Sequence, residues 1–455
     1  MGHGARARRK TVPCVSIKGR VFVVRRILGV YMRGWRRSAA IAIAGASALA
    51  LALTGCTPQV SVPIDVPAQA EGSLPEETVT QLQDAVTSAM TATGATGAIV
   101  GVWAPWSGSW VAGLGAQGPD GGEVTTDMAF RAADVTRAMT CDVLYQVAED
   151  GIVGLDDSVT DWVSGLPGYE QITLRQLCDG TSGLGSYSAA LQRSWFRTPD
   201  RVWNPRELMA YGVASPRAND PGAAFADSDT GYVVLGLALE RATGESMSAL
   251  LNEHVADPLD LEATSLPGGA ASAPSPGASL RGYWSQQNGD GVWNCTDPTD
   301  FTVASASFGG ADSGAVTTIT DLGRYAQALA VGTLTPEGSD RFAAPVPVGA
   351  EEPTWFTAAG GAYQAGSLVG QFGAAPGYIT AAFADPATGM SVAVVLNNSG
   401  ATSRAGAWLA WELAAIASKA PAAEGQTAPE AGLPWTPEQQ RESLNANAIC
   451  APPEG

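Results

Sequence analysis

The sequence predicts an α/β domain of the α+β kind, split by a mainly helical insertion over about residues 165–300. Three features carry this: a strand–strand–helix order at the front, Pro- and Gly-rich stretches with short helical periods in the middle, and strands with a closing helix at the back. Glu76–Thr93 sets Val79, Leu82, Val86 and Met90 at helical spacing. Ala98–Trp103 and Ser109–Leu114 flank Pro105-Trp106-Ser107-Gly108, which reads as a hairpin turn. Val135–Glu149 is helical and closes at Gly151. Tyr232–Ala242 and Ser246–Val255 are the clearest helices of the insertion, and Asp321–Ala330 is amphipathic. Ile379–Ala384 and Met390–Asn397 read as buried strands around the turn Asp385–Gly389, and Ala405–Ala417 as the closing helix. The domain is expected over 76–419. An Ala/Pro-rich linker and a tail over 420–455 follow, with a short helix near Pro437–Asn447.

Charge narrows the chemistry. The chain of 455 residues has a formal charge of −18, yet residues 1–55 hold 11 Lys and Arg and no acid. Residues 56–455 therefore set 15 basic against 44 acidic side chains, a net of −29. A body this acidic repels a phosphate backbone, so nucleic acid is not an expected partner. The same stretch contains one lysine, Lys419, and one histidine, His254. A Ser-His-Asp hydrolase would have to use His254, and a catalytic lysine would have to be Lys419. His254 lies in the polar stretch Asn252-Glu253-His254, which reads as a surface or helix-packing position.

Ser38–Leu53 is uncharged and apolar and follows Arg33, Arg36 and Arg37, the pattern of a secretory signal peptide. It runs into Leu53-Thr54-Gly55-Cys56, which resembles the bacterial lipoprotein box. That resemblance implies cleavage before Cys56, lipidation of Cys56, and an extracytoplasmic protein anchored to the cell membrane. Residues 1–55 are then the leader, with Met32 the expected start of translation, and 56–75 a proline-containing tether. Export permits disulfides among Cys141, Cys178, Cys295 and Cys450. Four cysteines allow three pairings, and sequence alone does not choose among them. The pairing expected is Cys141–Cys178 and Cys295–Cys450, the second pinning the tail. No CxxC pair exists to suggest zinc.

Five segments fall in a telling order. They are Asp150–Val159; Ile172–Leu177 with Thr181-Ser182-Gly183-Leu184; Thr230–Gly236 with Ala242-Thr243-Gly244; Ser313–Thr318 with Asp321, Leu322 and Arg324; and Pro376-Gly377-Tyr378 with Asp385-Pro386 and Gly389. Over roughly residues 76–418 this series resembles the penicillin-recognising serine hydrolases, in the class C β-lactamase and D-alanyl-D-alanine carboxypeptidase branch. The resemblance implies a β-lactamase/penicillin-binding-protein-like fold: an antiparallel sheet flanked by helices, plus the helical insertion. It also implies acyl transfer through Ser-x-x-Lys, Tyr-x-Asn and a Lys/His-x-Gly strand. The lysine would act as base for the serine, and the third motif and backbone N–H groups would hold the substrate and its oxyanion.

At those positions this chain carries other residues. Phe130, Thr136 and Thr140 keep the register of the first motif, but Asp134 stands at the serine position and Arg137 at the lysine position. The second motif reads Asp227-Ser228-Asp229, and the third Gln371-Phe372-Gly373, in which only Gly373 is retained. No Ser-x-x-Lys exists after residue 56, because Ile416 lies three before Lys419, and Ala420 follows it. Arginine stays protonated at any working pH and cannot replace lysine as a base.

The expectation is a cell-envelope lipoprotein with lost active-site motifs, used for binding or scaffolding. The alternative is a hydrolase of amide or ester substrates with an unorthodox residue set built around Asp134. No cofactor is expected, and nothing spaced like an EF-hand is present to suggest a metal. Asp134, Arg137, Asp227 and Asp229 are expected to converge. One outcome is an ion-paired network that fills the old pocket. The other is an acidic pocket, net −2, for a cationic ligand or a cell-wall peptide. Trp195, Phe196, Trp203, Tyr211, Trp284 and Trp293 form either a ligand platform or core and rim packing. The oligomeric state is left open.

Overall fold

A computed structural model describes residues 61–450 other than Pro119 and Ala431. The leader, Met32 and Cys56 lie outside the described residues. In chain order the elements are α1 (Glu76–Thr93), β1 (Gly97–Ala104), β2 (Gly108–Gly115), β3 (Phe130–Arg131), α2 (Val135–Glu149), α3 (Val159–Trp162), α4 (Leu174–Cys178), α5 (Ser188–Arg197), α6 (Pro205–Ala214), α7 (Asp229–Thr243) and α8 (Met247–Leu251). They continue through β4 (Tyr283–Trp284), β5 (Thr299–Asp300), β6 (Val316–Thr317), α9 (Ile319–Val331), β7 (Val346–Pro347), β8 (Phe356–Ala359), β9 (Ala362–Ala365), β10 (Leu368–Ala375), β11 (Tyr378–Ala384), β12 (Ser391–Leu396), α10 (Arg404–Ala417) and α11 (Pro437–Ala446).

Eight strands form one sheet in the order β2-β1-β12-β11-β10-β9-β8-β7, with every pair antiparallel. Period-two alternation along β1 and β12 divides the core. Val100, Val102, Val394 and Leu396 pack with Leu82 and Val86 of α1 and Leu409 and Leu413 of α10. Ile99, Ala393 and Val395 turn to the other face, against Leu322 and Tyr325 of α9 and the α2 cluster. Both faces are covered, so the central strands read as continuous apolar runs rather than as an alternating pattern. The chain leaves this layered body after α2 and returns at β6, where Thr317 pairs with Phe130 of β3. Between them lie α3–α8, a π-helical turn over Asn252–Ala256, and a largely irregular stretch carrying the β4–β5 pair. The helical part of the insertion thus ends near 256, earlier than expected.

Both disulfides, Cys141–Cys178 and Cys295–Cys450, are those anticipated. One other expectation is corrected. Residues 61–75 are not a free tether: Val62 N–H donates to Pro258 O at 2.7 Å, Ala70 to Pro105 O at 2.8 Å and Leu74 to Ser109 O at 3.1 Å. Leu74 is buried, and Ser73 bridges Ser109 on β2, which partly covers the sheet edge. The tail carries the expected short helix, and α11 packs on α10 and α1. Trp435 buries its ring and donates its indole N–H to Trp411 O at 2.9 Å. β7, β8 and β9 were not anticipated. All three are short, β8 and β9 are Ala-rich, and the turn Gly360-Gly361 between them needs positive φ at both residues.

Candidate functional site

The site forms where the start of α2, the start of α7, the 309–315 loop and β10 meet. Thr136 and Thr140, which keep the first-motif register, hold the loop in place. Ala315 N–H donates to Thr136 Oγ1 at 3.1 Å, and Thr140 Oγ1 donates to Ala311 O at 2.7 Å. Ser228 caps α7 by accepting from Gly231 N–H, which leaves Asp227 before the helix and Asp229 in its first turn. An acid at a helix N-terminus is favoured by the helix dipole. Ala133, just before Asp134, adopts φ +50°, a conformation rare for a residue with a side chain. Such strained residues concentrate at functional positions.

Arg137 is the hub. Its Nε donates to Asp312 Oδ1 at 2.7 Å, Nη1 to Asp227 Oδ1 at 2.5 Å, and Nη2 to Asp229 Oδ1 at 2.6 Å. Asp134 Oδ2 lies 3.7 Å from Nη2. The guanidinium also lies over Tyr232, 4.9 Å from the ring centroid. Asp229 Oδ2 accepts a further bond from Ser186 Oγ at 2.6 Å. The Arg137 side chain is 3% exposed, whereas Asp227 is 58% exposed, so the cluster reaches solvent mainly on that side.

Four carboxylates around one guanidinium would leave a formal charge of −3. Burial acts against that charge. It raises the Asp134 carboxyl well above its usual range, despite the attraction of Arg137. It also raises Asp312 to about 7, again the balance of desolvation over the Arg137 charge. The surrounding carboxylates hold the Arg137 proton more firmly than usual, although its burial works the other way.

The third-motif strand closes the remaining side. Gln371 is buried, donating from Nε2 to Gly361 O at 2.9 Å and accepting from Phe372 N–H at 2.8 Å. Gly373 packs directly on Asp134: a Cβ at 373 would stand 2.2 Å from Asp134 Cγ. The void left beside Arg137, bordered by Asp227, Tyr232, Tyr363 and Gln371, measures about 10 Å³, room for one water. Asp134, Arg137, Asp227, Asp229, Gln371 and Gly373 therefore all meet at one place, with Arg137 filling it. Among the described residues no cluster of acids, histidines or cysteines is arranged to hold a metal ion.

Asp312 was missed in the sequence, so the cluster is −3 rather than the expected −2. Its signal was a lone acid among small residues, one position before the recognised Ser313–Thr318 segment. His254 sits half-buried on the π-helical turn and belongs to no part of this site. The aromatic set is mostly packing: Trp203 is buried, Trp195 stacks on Phe308, and Phe196 stacks on Trp284.

A layered antiparallel sheet with this insertion, and a site at the meeting of these motif positions, defines the class of penicillin-recognising serine hydrolases. Within that class the chain belongs to the Beta-lactamase family, whose model matches residues 82–416. It is similar to penicillin-binding protein 4* of Bacillus subtilis, 27% identical over 139 residues, which are 30% of this chain and 31% of that protein. It is also similar to the esterase/beta-lactamase LipL of Mycobacterium tuberculosis, 27% identical over 39% of this chain and 38% of that one. These matches span only about a third of the length of either relative. Among solved structures, a D-stereospecific amidohydrolase from Streptomyces sp. is 25% identical with a TM-score of 0.64, over 73% of this chain and 98% of that one. The octameric penicillin-binding protein homologue from Pyrococcus abyssi shares the fold at 20% identity and a TM-score of 0.61, over 74% of this chain and 77% of that one.

Proposed function

We propose that this chain is a non-catalytic member of its family, a binding or scaffold protein held at the cell envelope by a lipid on Cys56. The observation that supports this most is the Arg137 hub, bonded at 2.5–2.7 Å to Asp227, Asp229 and Asp312. An acyl-serine mechanism needs a hydroxyl nucleophile, a group that takes its proton, and space for a carbonyl between them. Here a carboxyl stands at the nucleophile position, and a guanidinium that holds its proton stands at the base position. About 10 Å³ of room remains beside it. A carboxylate attacking an amide would form an anhydride, and the acids beside Asp134 that could aid its turnover are each bonded to Arg137.

The test is direct. The purified chain is incubated with a fluorescent penicillin, a chromogenic cephalosporin and D-amino acid amides, the last because one structural neighbour is a D-stereospecific amidohydrolase. The expected result is no covalent label and no turnover above the uncatalysed rate. Labelling that disappears in Asp134→Ala would overturn the reading in favour of an unorthodox hydrolase. Lipidation is checked separately, by mass spectrometry of the chain recovered from membranes. An unmodified Cys56 there would refute the anchor without touching the catalytic question.

A further inference from the structure

A second cleft, of about 630 Å³, opens between α5 and the β4–β5 pair. Its helical wall is Gln192, Arg193, Phe196 and Arg197, which the helix period places on one face. The opposite wall is Trp284, Gln286, Thr299 and Phe301. Phe196 and Trp284 stack across the cleft floor, with ring centroids 3.6 Å apart and planes within 3°, and Phe301 meets Phe196 edge-on at 5.0 Å.

Some exposed arginines find acids and others, such as Arg206, Arg217 and Arg241, do not; two of the second kind share this one cleft wall. Arg175, Arg201, Arg281, Arg404 and Arg441 each pair with a carboxylate. Arg193 and Arg197 are both exposed, and among the described residues neither has a carboxylate partner, although acids outnumber bases by 29 after residue 55. The sequence of α5 contains no acid. Asp300 is adjacent in sequence, but the register pairs Trp284 with Thr299 and Tyr283 with Asp300. Strand alternation therefore turns Asp300 to the opposite face. Arg197 gains from the helix C-terminus beside it. Arg193, one turn earlier, repels it at i,i+4 spacing.

The walls are also fixed in advance. α5 is anchored by buried Leu191 and by Trp195 on Phe308. The segment after β4 is held by Ser285 N–H on Asn398 Oδ1 at 3.1 Å and by the Cys295–Cys450 disulfide. Fixed walls lower the ordering cost of binding, which is left mainly to the two arginine side chains.

We propose that this cleft binds a small ligand, or the end of a larger one, in which a carboxylate or phosphate adjoins an aromatic or apolar body. The two guanidiniums meet the anion, the Phe196–Trp284–Phe301 floor meets the body, and the amides of Gln192 and Gln286 with the Thr299 hydroxyl supply further hydrogen bonds. The site is separate from the Arg137 cluster, so it stands whether or not the old cleft retains catalysis.

Calorimetric titration of the full-length chain with phenylacetate, phenyl phosphate and neutral phenylacetamide tests this. Saturable binding of at least one anion is expected below about 1 mM, with phenylacetamide at least tenfold weaker. A preference between the two anions identifies carboxylate or phosphate as the recognised group. Arg193→Gln with Arg197→Gln should weaken the better anion at least tenfold without moving the thermal midpoint, because both side chains are exposed. Arg193→Gln alone should weaken it less. Trp284→Ala should weaken anion and amide alike. Absence of binding by both anions, equal binding of the amide, or unchanged affinity in the double variant would each overturn the proposal.

Discussion

Two buried arginines contact α2, and their surroundings differ. Arg341 is fully buried and meets a single acid, Asp142, which also accepts from Tyr325 Oη at 2.6 Å. Its remaining donors reach Gly360 O at 3.0 Å and Ala138 O at 3.1 Å, so charge and hydrogen bonds balance. Arg137 serves four acids at once, two of which burial pushes toward the protonated form. The first is what a core tolerates, a matched and satisfied pair. The second is overcharged and open to water at Asp227. Its guanidinium stands at the meeting point of all the motif positions.

The largest effect should come from the balanced pair. Arg341→Met leaves Asp142 buried without its counter-charge and should cost about 3–5 kcal/mol in urea unfolding at neutral pH. Arg137→Met should cost less near about pH 5, of order 1–3 kcal/mol, because Asp312, raised to about 7, holds its proton there. Its cost should grow toward about pH 8, as Asp312 loses its proton. Equal costs for both variants at all pH values would erase the distinction drawn between the two regions.

The third outcome concerns Asp312 itself. Its carboxyl is raised to about 7 from an ordinary 3.8, so between these values the folded chain binds a proton that the unfolded chain releases. The stability from this group is fully present below about pH 4 and is lost as pH rises through 7. Asp312→Asn should therefore flatten the fall in melting temperature between pH 4 and 7 relative to the parent. An unchanged slope would mean another group titrates. The smallest effect should belong to Asp227→Asn. Asp227 is more than half exposed, and its pair should be worth within about 1 kcal/mol.

Much of the sheet was legible from sequence because β1, β2, β11 and β12 are long apolar runs bounded by turn residues. Helices α1, α2, α9 and α10 showed regular helical periods. β7, β8 and β9 were not legible, since four-residue strands such as Phe356–Ala359 carry too little alternation to stand out from loops. Five of the seven groups at the site were readable through the flanking Phe130, Thr136, Thr140, Thr230 and Tyr378, and Gly373 by its retained identity. Asp312 was not, because no motif names it and its role depends on a loop that Thr136 and Thr140 hold against α2.

The amino-acid sequence by itself determined the family resemblance, the residues at each motif position and the excess of acid. These are properties of order and composition, and they survive without coordinates. Only the tertiary structure decided that Arg137 fills the pocket rather than leaving it open. It also decided that the segment before α1 and the tail after α10 belong to the body, and that Arg193 and Arg197 share a cleft. Each of these depends on distances between residues remote in the chain. A periodic pattern reports which face of an element is buried, and it carries no information about what the element is buried against.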